Sequence, residues 1–129
     1  MQRLLDIGFQ RVGHWMLKEN NLCFELDTSI ASTNVIYAFI SNSSVLYIGK
    51  TTRTLKNRMR GYQHPGPTQH TNIRNHANLK AILAQVNAVD IYALPDHGLL
   101  QYGPFKINLA AGLEDSLIKT IKPIWNNRL

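Results

Sequence analysis

Two apolar stretches, Val35-Ile36-Tyr37-Ala38-Phe39-Ile40 and Val45-Leu46-Tyr47-Ile48, decide the fold of this chain. Both consist of β-branched, aromatic and aliphatic residues, a composition that is typical of strands. The polar triplet Asn42-Ser43-Ser44 between them predicts a turn. We therefore expect the two stretches to form a β-hairpin.

The length of the turn fixes the register of this hairpin. With three turn residues, Ser41 pairs with Val45 and Phe39 pairs with Tyr47. Side-chain alternation then places Tyr37 and Tyr47 on one face of the hairpin. A two-residue turn instead separates the two phenols onto opposite faces, so the prediction depends on the turn.

The rest of the chain predicts a small α+β fold. Helices are expected at 54–62, at 71–85 with Thr71 or Asn72 as its cap, and at 112–121, with a strand at 89–94. Before the hairpin, residues 3–16 predict a helix and residues 22–26 a short strand. The expected architecture is a mainly antiparallel three-stranded sheet flanked by helices, with 34–129 as the principal domain and 1–33 as an N-terminal extension.

Charge is distributed unevenly along the chain. The formal net charge is +6, and no Asp or Glu occurs between Thr28 and Val89. The basic residues of this acid-free region are Lys50, Arg53, Lys56, Arg58, Arg60, Arg74 and Lys80. They favour a polyanionic partner, because basic side chains displace counterions from phosphates. The alternative is a solvated basic face. A membrane surface is disfavoured, because Thr, Asn and Gln rather than large apolar residues separate the charges.

The cysteine content and the N-terminus limit the class of protein. Cys23 is the only cysteine, which excludes an internal disulfide and a cysteine-rich zinc site. The apolar runs are far shorter than the roughly 20 residues of a membrane-spanning helix. Charged residues interrupt the first six positions, so a signal-peptide core is not expected there. We expect a cytoplasmic protein without a membrane partner.

Two tripeptides ten residues apart, Val35-Ile36-Tyr37 and Tyr47-Ile48-Gly49, resemble the paired signature of the GIY-YIG nuclease family. Valine stands where the family has its first glycine, and the tyrosine that follows is kept. Lys50 and Arg58 resemble the lysine and the helical arginine of the family. Tyr62 stands where the family carries a tyrosine or histidine.

The resemblance continues near the C-terminus. Leu113–Ile118, which contains Glu114, resembles the metal-binding helix of the family, and Lys122–Asn126 resembles its closing motif. The resemblance implies a metal-dependent endonuclease that hydrolyses double-stranded DNA, with 34–129 as the nuclease domain. The implied catalytic residues are Tyr37, Tyr47, Lys50, Arg58, Tyr62, Glu114 and Asn126, with Glu114 as the ligand of one Mg²⁺ or Mn²⁺ ion.

Further contacts with DNA are expected at polar and basic residues. They are Arg53, Lys56, Arg60, His64, Asn72, Arg74 and Lys80. Residues 1–33 are a candidate contact region for DNA or for a second subunit, and a homo-oligomer is a further candidate assembly.

The two phenols also have a structural interpretation, because tyrosine commonly fills the core beside a strand. As a general base, a phenol with a pKa of about 10 needs a site that favours the phenolate or relays the proton onward. Lys50 follows the second strand directly and supplies positive charge. Of the two phenols, the resemblance points to Tyr37. Arg58 and Tyr62 are four residues apart and share a helix face, where a guanidinium suits a phosphate.

The apolar stripe of the last predicted helix consists of Leu117, Ile118 and Ile121. Glu114 precedes these residues by three, four and seven positions and lies on the same stripe, whereas Asp115 does not. A carboxylate there needs a partner. The partner is either the helix dipole, worth roughly 0.3–1 kcal/mol in a first turn, or Mg²⁺, which often uses one carboxylate. The motifs contain no second acid at the site, which favours a one-metal mechanism.

Two alternative functions remain at this point. The first is a DNA-binding module of the same fold with weak catalysis, and the complete set of Tyr, Lys, Arg, Glu and Asn residues argues against it. The second is a sequence-specific restriction endonuclease, which the lack of large insertions disfavours. RNA also remains open as a substrate. Trp15 and Trp125 are expected in the core.

Overall fold

The computed structural model of the chain describes residues 1–28, 31, 33–96 and 100–126. Its main sheet is antiparallel and has the strand order β2-β1-β5-β3-β4, so β2 and β4 are the edges. The strands are β1 (Gln10–Lys18), β2 (Asn21–Leu26), β3 (Val35–Ser41), β4 (Ser44–Thr51) and β5 (Val89–Pro95). This confirms the mainly antiparallel α+β fold, but the sheet has five strands rather than three.

Helices cover both faces of the sheet. They are α1 (Gln2–Asp6), α2 (Leu55–Gln63), α3 (His70–Leu83) and α4 (Leu109–Ile121), followed by a 3₁₀ turn at Ile124–Asn126. A small separate hairpin, β6 (Gln101–Tyr102) and β7 (Phe105–Lys106), precedes α4. Among the described residues, no helix has the length and apolar character needed to span a membrane.

The N-terminal region differs most from the sequence prediction. The helix expected at 3–16 is wrong, because α1 ends at Asp6 and β1 occupies the second half of that range. Phe9, Val12 and Trp15 are three residues apart and imitate helical spacing, yet Val12 and Trp15 are buried from a strand. Pairing with β2 on one side and β5 on the other satisfies the β1 backbone and overrides the local pattern. The predicted short strand is confirmed as β2.

The β3–β4 hairpin has a two-residue turn, Asn42-Ser43, with φ of 50° and 64°. Positive φ at both positions matches the strand twist in a tight hairpin. The three-residue turn is therefore wrong, but the register beyond it is right. Leu46 is an extra residue between the pairs Ile40–Val45 and Phe39–Tyr47, and this bulge restores the predicted pairing. Tyr37 and Tyr47 consequently share a face of the sheet.

The helix starts were predicted with unequal success. Thr54 caps α2 through its hydroxyl, which accepts from the Asn57 N–H at 3.3 Å, as expected for a start at 54. The predicted cap of α3 is wrong, because Gln69 holds that position. Helix α4 begins three residues earlier than expected, with the Asn108 side chain accepting from the Ala111 N–H at 3.0 Å. Glu114 therefore lies in the second turn of α4.

The core is divided by the sheet. One cluster contains Trp15, Tyr37, Phe39 and Tyr62 under α2 and α3, and the other contains Ile36, Ala38 and Ile48 under α4. Trp15 is fully buried, as predicted. Trp125 is only half-buried and packs against the margin of the first cluster.

Candidate active site

The phenols of β3, β4 and α2 form one aromatic group on the α2–α3 face of the sheet. The ring of Tyr37 lies 6.4 Å from that of Tyr47 and 6.2 Å from that of Tyr62, measured between centroids. Tyr37 and Tyr62 are inaccessible to solvent, whereas Tyr47 keeps 9% of its surface exposed. The structure thus brings the three predicted tyrosines together.

Gly49 makes room for the hydroxyl of Tyr37. It pairs with Tyr37 across the hairpin, and a Cβ atom at Gly49 would lie 2.6 Å from the Tyr37 Oη and 2.8 Å from the Tyr47 ring. Any side chain at this position would displace a phenol. The glycine of the second tripeptide is therefore required by packing, although its backbone is ordinary strand.

A hydrogen-bonded chain joins Arg58 to the phenols. The Arg58 Nη2 donates to the Tyr62 Oη at 2.9 Å, and the Oη atoms of Tyr62 and Tyr37 are 2.6 Å apart. Because a guanidinium can only donate, the Tyr62 hydroxyl accepts from Arg58, which favours donation of its own hydrogen to Tyr37. This direction places the oxygen of Tyr37 at the accepting end, where a phenolate is best accommodated.

Burial dominates the acidity of this pair. It raises the pKa of Tyr37 above the value of a free phenol, while the Arg58 charge and the Tyr62 hydrogen bond act in the opposite direction. Burial also raises the pKa of Tyr62, and there the hydrogen bond with Tyr37 raises it further. Of the two, Tyr37 is the phenol whose ionised form the hydrogen bond supports.

Arg58 is held on two further sides. Its Nη1 donates to the Asn72 Oδ1 at 2.8 Å, and its Cζ atom lies 4.1 Å from the centroid of the Tyr62 ring. Arg58 also lines an open cleft of about 410 Å³. The other residues of this cleft are Lys50, Thr51, Thr52, Arg53, Asn57, Gly61, Gln69 and Asn72. The residues that line it include three cations and no acid, so the cleft suits an anion such as a backbone phosphate.

Glu114 approaches the site from the other face of the sheet. Alternation along β4 puts Lys50 on the α4 side, opposite Tyr47 and Gly49. Burial raises the pKa of Glu114, whereas the charge and the backbone N–H of Lys50 lower it. The site therefore has two halves that meet around the edge strand β4. One half is the group of Arg58 and the phenols on the α2 side, and the other is Glu114 on the α4 side.

The helix-dipole interpretation of Glu114 does not fit this geometry. The first turn of α4 contains no acidic residue, and the dipole effect is confined to that turn. Asp115 faces solvent and forms an exposed ion pair of 3.0 Å with Lys119. The apolar stripe itself is confirmed, since Leu117, Ile118 and Ile121 pack into the core under α4.

A divalent ion fits Glu114 on chemical grounds. Glu114 is half-buried and lies near Lys50, which also lines the cationic cleft, and it offers one oxygen ligand. Mg²⁺ or Mn²⁺ readily completes its shell with water and phosphate oxygens. A different cluster of ligand-type residues consists of His14 on β1, Glu25 on β2 and Asp27 just after β2. There the Arg11 guanidinium already pairs with Asp27.

Asn126 ties the C-terminal 3₁₀ turn to the free edge of β4. Its Nδ2 donates to the Ile48 carbonyl and its Oδ1 accepts from the Ile48 N–H, both at 2.8 Å. This side chain replaces the missing neighbour strand at Ile48. Asn126 therefore binds the residue that precedes Gly49, and it holds the edge strand in place between the two halves of the site.

The residues expected to contact DNA separate into several locations. Arg53 lines the cleft with Lys50 and Arg58, and its contact with phosphate stays a prediction. Lys56 and Arg60 line a different cleft, of about 650 Å³, beside β2. His64, Arg74 and Lys80 lie outside both clefts, and His64 and Arg74 are exposed. Asn72, also expected to contact DNA, is 7% exposed and bonded to Arg58.

The sequence did not identify the residues that support the site from outside. Gln69 accepts from the Asn72 Nδ2 at 3.0 Å. The spacing of three residues between them, at the start of a helix, is the sequence pattern that could have indicated this contact. Asp96 accepts from the Leu109 N–H at 2.8 Å and from the Asn34 side chain at 2.9 Å, and so fixes the start of α4. No local pattern around Asp96 indicates this long-range contact.

Known proteins resemble the chain in sequence and in fold. No protein-family model matches it. It is 32% identical over 111 residues to the UvrABC system protein C of Campylobacter jejuni, which covers 86% of this chain but 16% of that protein. The chain thus corresponds to a small part of this relative.

Two solved structures share its architecture. A mutant of bacteriophage T4 EndoII has a TM-score of 0.74, with 23% identity over 98% of this chain and 97% of that one. The restriction endonuclease Hpy188I in complex with product DNA has a TM-score of 0.54, with 14% identity over 94% and 78%. The resemblance drawn from the two tripeptides is confirmed, and the chain has the fold of the GIY-YIG nucleases.

Proposed function

We propose that the chain is a divalent-metal-dependent endonuclease that hydrolyses phosphodiester bonds in double-stranded DNA. The observation that carries the proposal is the Arg58–Tyr62–Tyr37 hydrogen-bonded chain beside the cationic cleft, with Glu114 across the edge strand. A base, an anion site and a metal ligand around one strand are the groups that phosphodiester hydrolysis needs. The fold shared with T4 EndoII and the Hpy188I–DNA complex supports it.

Each of the three tyrosines has a separate role in the proposed reaction. Tyr37 as phenolate takes a proton from the attacking water, and because its oxygen is buried in the free protein, DNA binding has to open a path for that water. The oxygen of the water forms the new bond to phosphorus while the bond to the leaving oxygen breaks. Tyr62 donates to the Tyr37 oxygen and so lowers the cost of the phenolate. Tyr47 shapes the pocket for the Tyr37 ring.

The cations of the cleft bind the phosphate. Arg58 uses two of its five N–H groups for Tyr62 and Asn72, which leaves others for phosphate oxygens as negative charge develops. Lys50 adds positive charge between the cleft and Glu114, and Arg53 positions the DNA backbone. Asn126 keeps the edge strand in place. Glu114 would hold Mg²⁺ or Mn²⁺, which when bound polarises the phosphate and stabilises the leaving oxygen.

Plasmid cleavage tests the proposal. The purified chain is incubated with supercoiled plasmid and Mg²⁺ or Mn²⁺, with chelator as control, and the cut ends are sequenced. We expect metal-dependent nicking, and absence of cutting by a folded protein with either metal would contradict it. Scattered cut positions would separate a degrading nuclease from a restriction enzyme, which cuts at one sequence.

A binding assay tests the DNA contact independently of cleavage. If Lys50, Arg53 and Arg58 each neutralise a phosphate, the logarithm of the binding constant falls with the logarithm of salt with a slope of about −3. Fluorescence anisotropy with labelled duplex measures this slope. A slope near zero would contradict DNA as the partner. If the protein bound and cut duplex RNA as well as duplex DNA, the proposal that its substrate is DNA would be overturned.

A further inference from the structure

Asn72 occupies an unusual position for a polar residue. It lies in the first turn of α3, is 7% exposed, and directs both ends of its amide into hydrogen bonds. Its Oδ1 accepts from the Arg58 Nη1 at 2.8 Å, and its Nδ2 donates to the Gln69 Oε1 at 3.0 Å. The amide therefore links the arginine of α2 to the start of α3.

The link continues into the loop between the two helices. The Gln69 Oε1 also accepts from the Gly66 N–H at 2.9 Å. A continuous path of hydrogen bonds thus runs from the loop through Gln69, Asn72 and Arg58 to Tyr62, and from Tyr62 to Tyr37. Gln69 and Asn72 line the cationic cleft together with Arg58, so an anion bound there contacts this path directly.

The packing of α3 against α2 leaves space for the contact between Asn72 and Arg58. Gly61 is an interior residue of α2, where glycine lowers helix stability relative to alanine. A Cβ at Gly61 would lie 3.3 Å from the Arg58 Nη1 and 3.5 Å from the Asn72 Nδ2. The absence of a side chain there leaves room for the contact between Arg58 and Asn72.

We propose that Asn72 is a positioning residue for Arg58, which it holds in the orientation that stacks on Tyr62 and presents its remaining N–H groups to the phosphate. The inference rests on the proposed nuclease function and deepens it. An unrestrained arginine samples many rotamers, and a displacement of about 1 Å at a phosphate clamp costs on the order of 10²-fold in rate. Asn72 acts through Arg58 and does not itself contact the reacting atoms.

A double-mutant cycle tests the catalytic part. We expect Asn72→Ala to lower single-turnover cleavage at saturating DNA about 10- to 100-fold, with DNA affinity changed less than about threefold. In the Arg58→Ala background, Asn72→Ala should cost no further activity, because the residue acts only through Arg58. The matched control is Asn75→Ala, one turn along α3, where a fully buried amide makes no hydrogen bond among the described residues. Asn75→Ala should cleave at the normal rate.

Two results would overturn the proposal. One is a normal rate for Asn72→Ala, and the other is a loss that is just as large when Arg58 is already alanine. A loss in Asn75→Ala equal to that in Asn72→Ala would likewise assign the effect to helix stability rather than to positioning.

A second measurement does not depend on cleavage. In ¹⁵N-resolved NMR spectra of the free protein, a clamped guanidinium gives separate Nη resonances, and a freely rotating one gives an averaged signal. We expect separate Arg58 resonances in the wild type and averaging in Asn72→Ala, with Asn75→Ala unchanged. Averaged resonances in the wild type would contradict the positioning role even in an active nuclease. Separate resonances in a protein that cuts nothing would instead contradict only the proposed function.

Discussion

Helices α2 and α4 pack on opposite faces of the sheet, and they hold their reactive side chains in different ways. On α2, Arg58 is fixed by hydrogen bonds to Tyr62 and Asn72 and by stacking on the Tyr62 ring. On α4, Glu114 is half-buried, and burial outweighs the charge of Lys50 so that its pKa is raised. The α2 half is organised by the protein itself, whereas the α4 half carries a carboxylate whose charge is incompletely compensated. This difference supports the proposal that a bound cation completes the site on the α4 side.

The largest expected effect tests the α4 half. Glu114→Ala should lower cleavage by at least about 10³-fold, because a lost metal ligand removes several kcal/mol of transition-state stabilisation. DNA affinity should stay close to normal, since removal of an anion does not weaken phosphate contacts. Single-turnover cleavage with a Mg²⁺ titration measures the effect.

Asp115→Ala is the matched control for Glu114→Ala. Asp115 lies one residue along the same helix turn and pairs with Lys119 at the surface. An exposed pair of this kind contributes little to stability, so the variant should cleave normally. A dead Asp115→Ala variant, or an active Glu114→Ala variant, would place the metal elsewhere.

A smaller effect distinguishes the phenols of the α2 half. Tyr37→Phe should lower the cleavage rate about 10²- to 10⁴-fold, the contribution of a general base. Tyr47→Phe should remain within about tenfold of wild type, because the ring is the part of Tyr47 that packs against Tyr37 and Phe39. Circular dichroism and DNA affinity verify that both variants fold. Near-normal cleavage by Tyr37→Phe would reduce this phenol to a packing residue.

The pH dependence of cleavage gives a still smaller effect. Burial raises the pKa of Tyr37, so the phenolate is the minor form at neutral pH and its fraction grows about tenfold per pH unit. The logarithm of the single-turnover rate should therefore rise with a slope near one from pH 7 to pH 9 without reaching a plateau. Tyr47→Phe should keep this slope and Tyr37→Phe should lose it. A wild-type rate independent of pH over this range would exclude Tyr37 as the proton acceptor.

The contrast between the two halves also explains which parts of the site could be predicted from the sequence. Glu114 on an apolar stripe and Arg58 four residues before Tyr62 are local patterns of one helix, and both were recognised. The contact of Arg58 with Asn72 joins two helices, and the sequence predicts Asn72 only as a DNA contact or a helix cap. The support of α4 by Asp96 likewise depends on a pairing that no spacing reveals.

In the fold, too, local patterns could be predicted from the sequence and long-range pairings could not. The β3–β4 hairpin was predicted from composition, and its register survived an incorrect turn because a bulge at Leu46 compensated for the shorter loop. Residues 3–16 predict a helix because apolar residues three apart fit both periods over a short range, yet residues 10–16 belong to β1. Hydrogen bonds to β5, about 80 residues away in the chain, decide in favour of a strand.

The central claim is that Glu114 binds a divalent cation, and direct measurement of Mn²⁺ tests it most simply. Electron paramagnetic resonance counts the Mn²⁺ bound by the protein on a duplex whose phosphorothioate linkages resist cleavage, after subtraction of the ions bound by DNA alone. We expect one additional Mn²⁺ per chain for the wild type and for Asp115→Asn, and its loss in Glu114→Gln. Unchanged Mn²⁺ binding by Glu114→Gln would contradict the account.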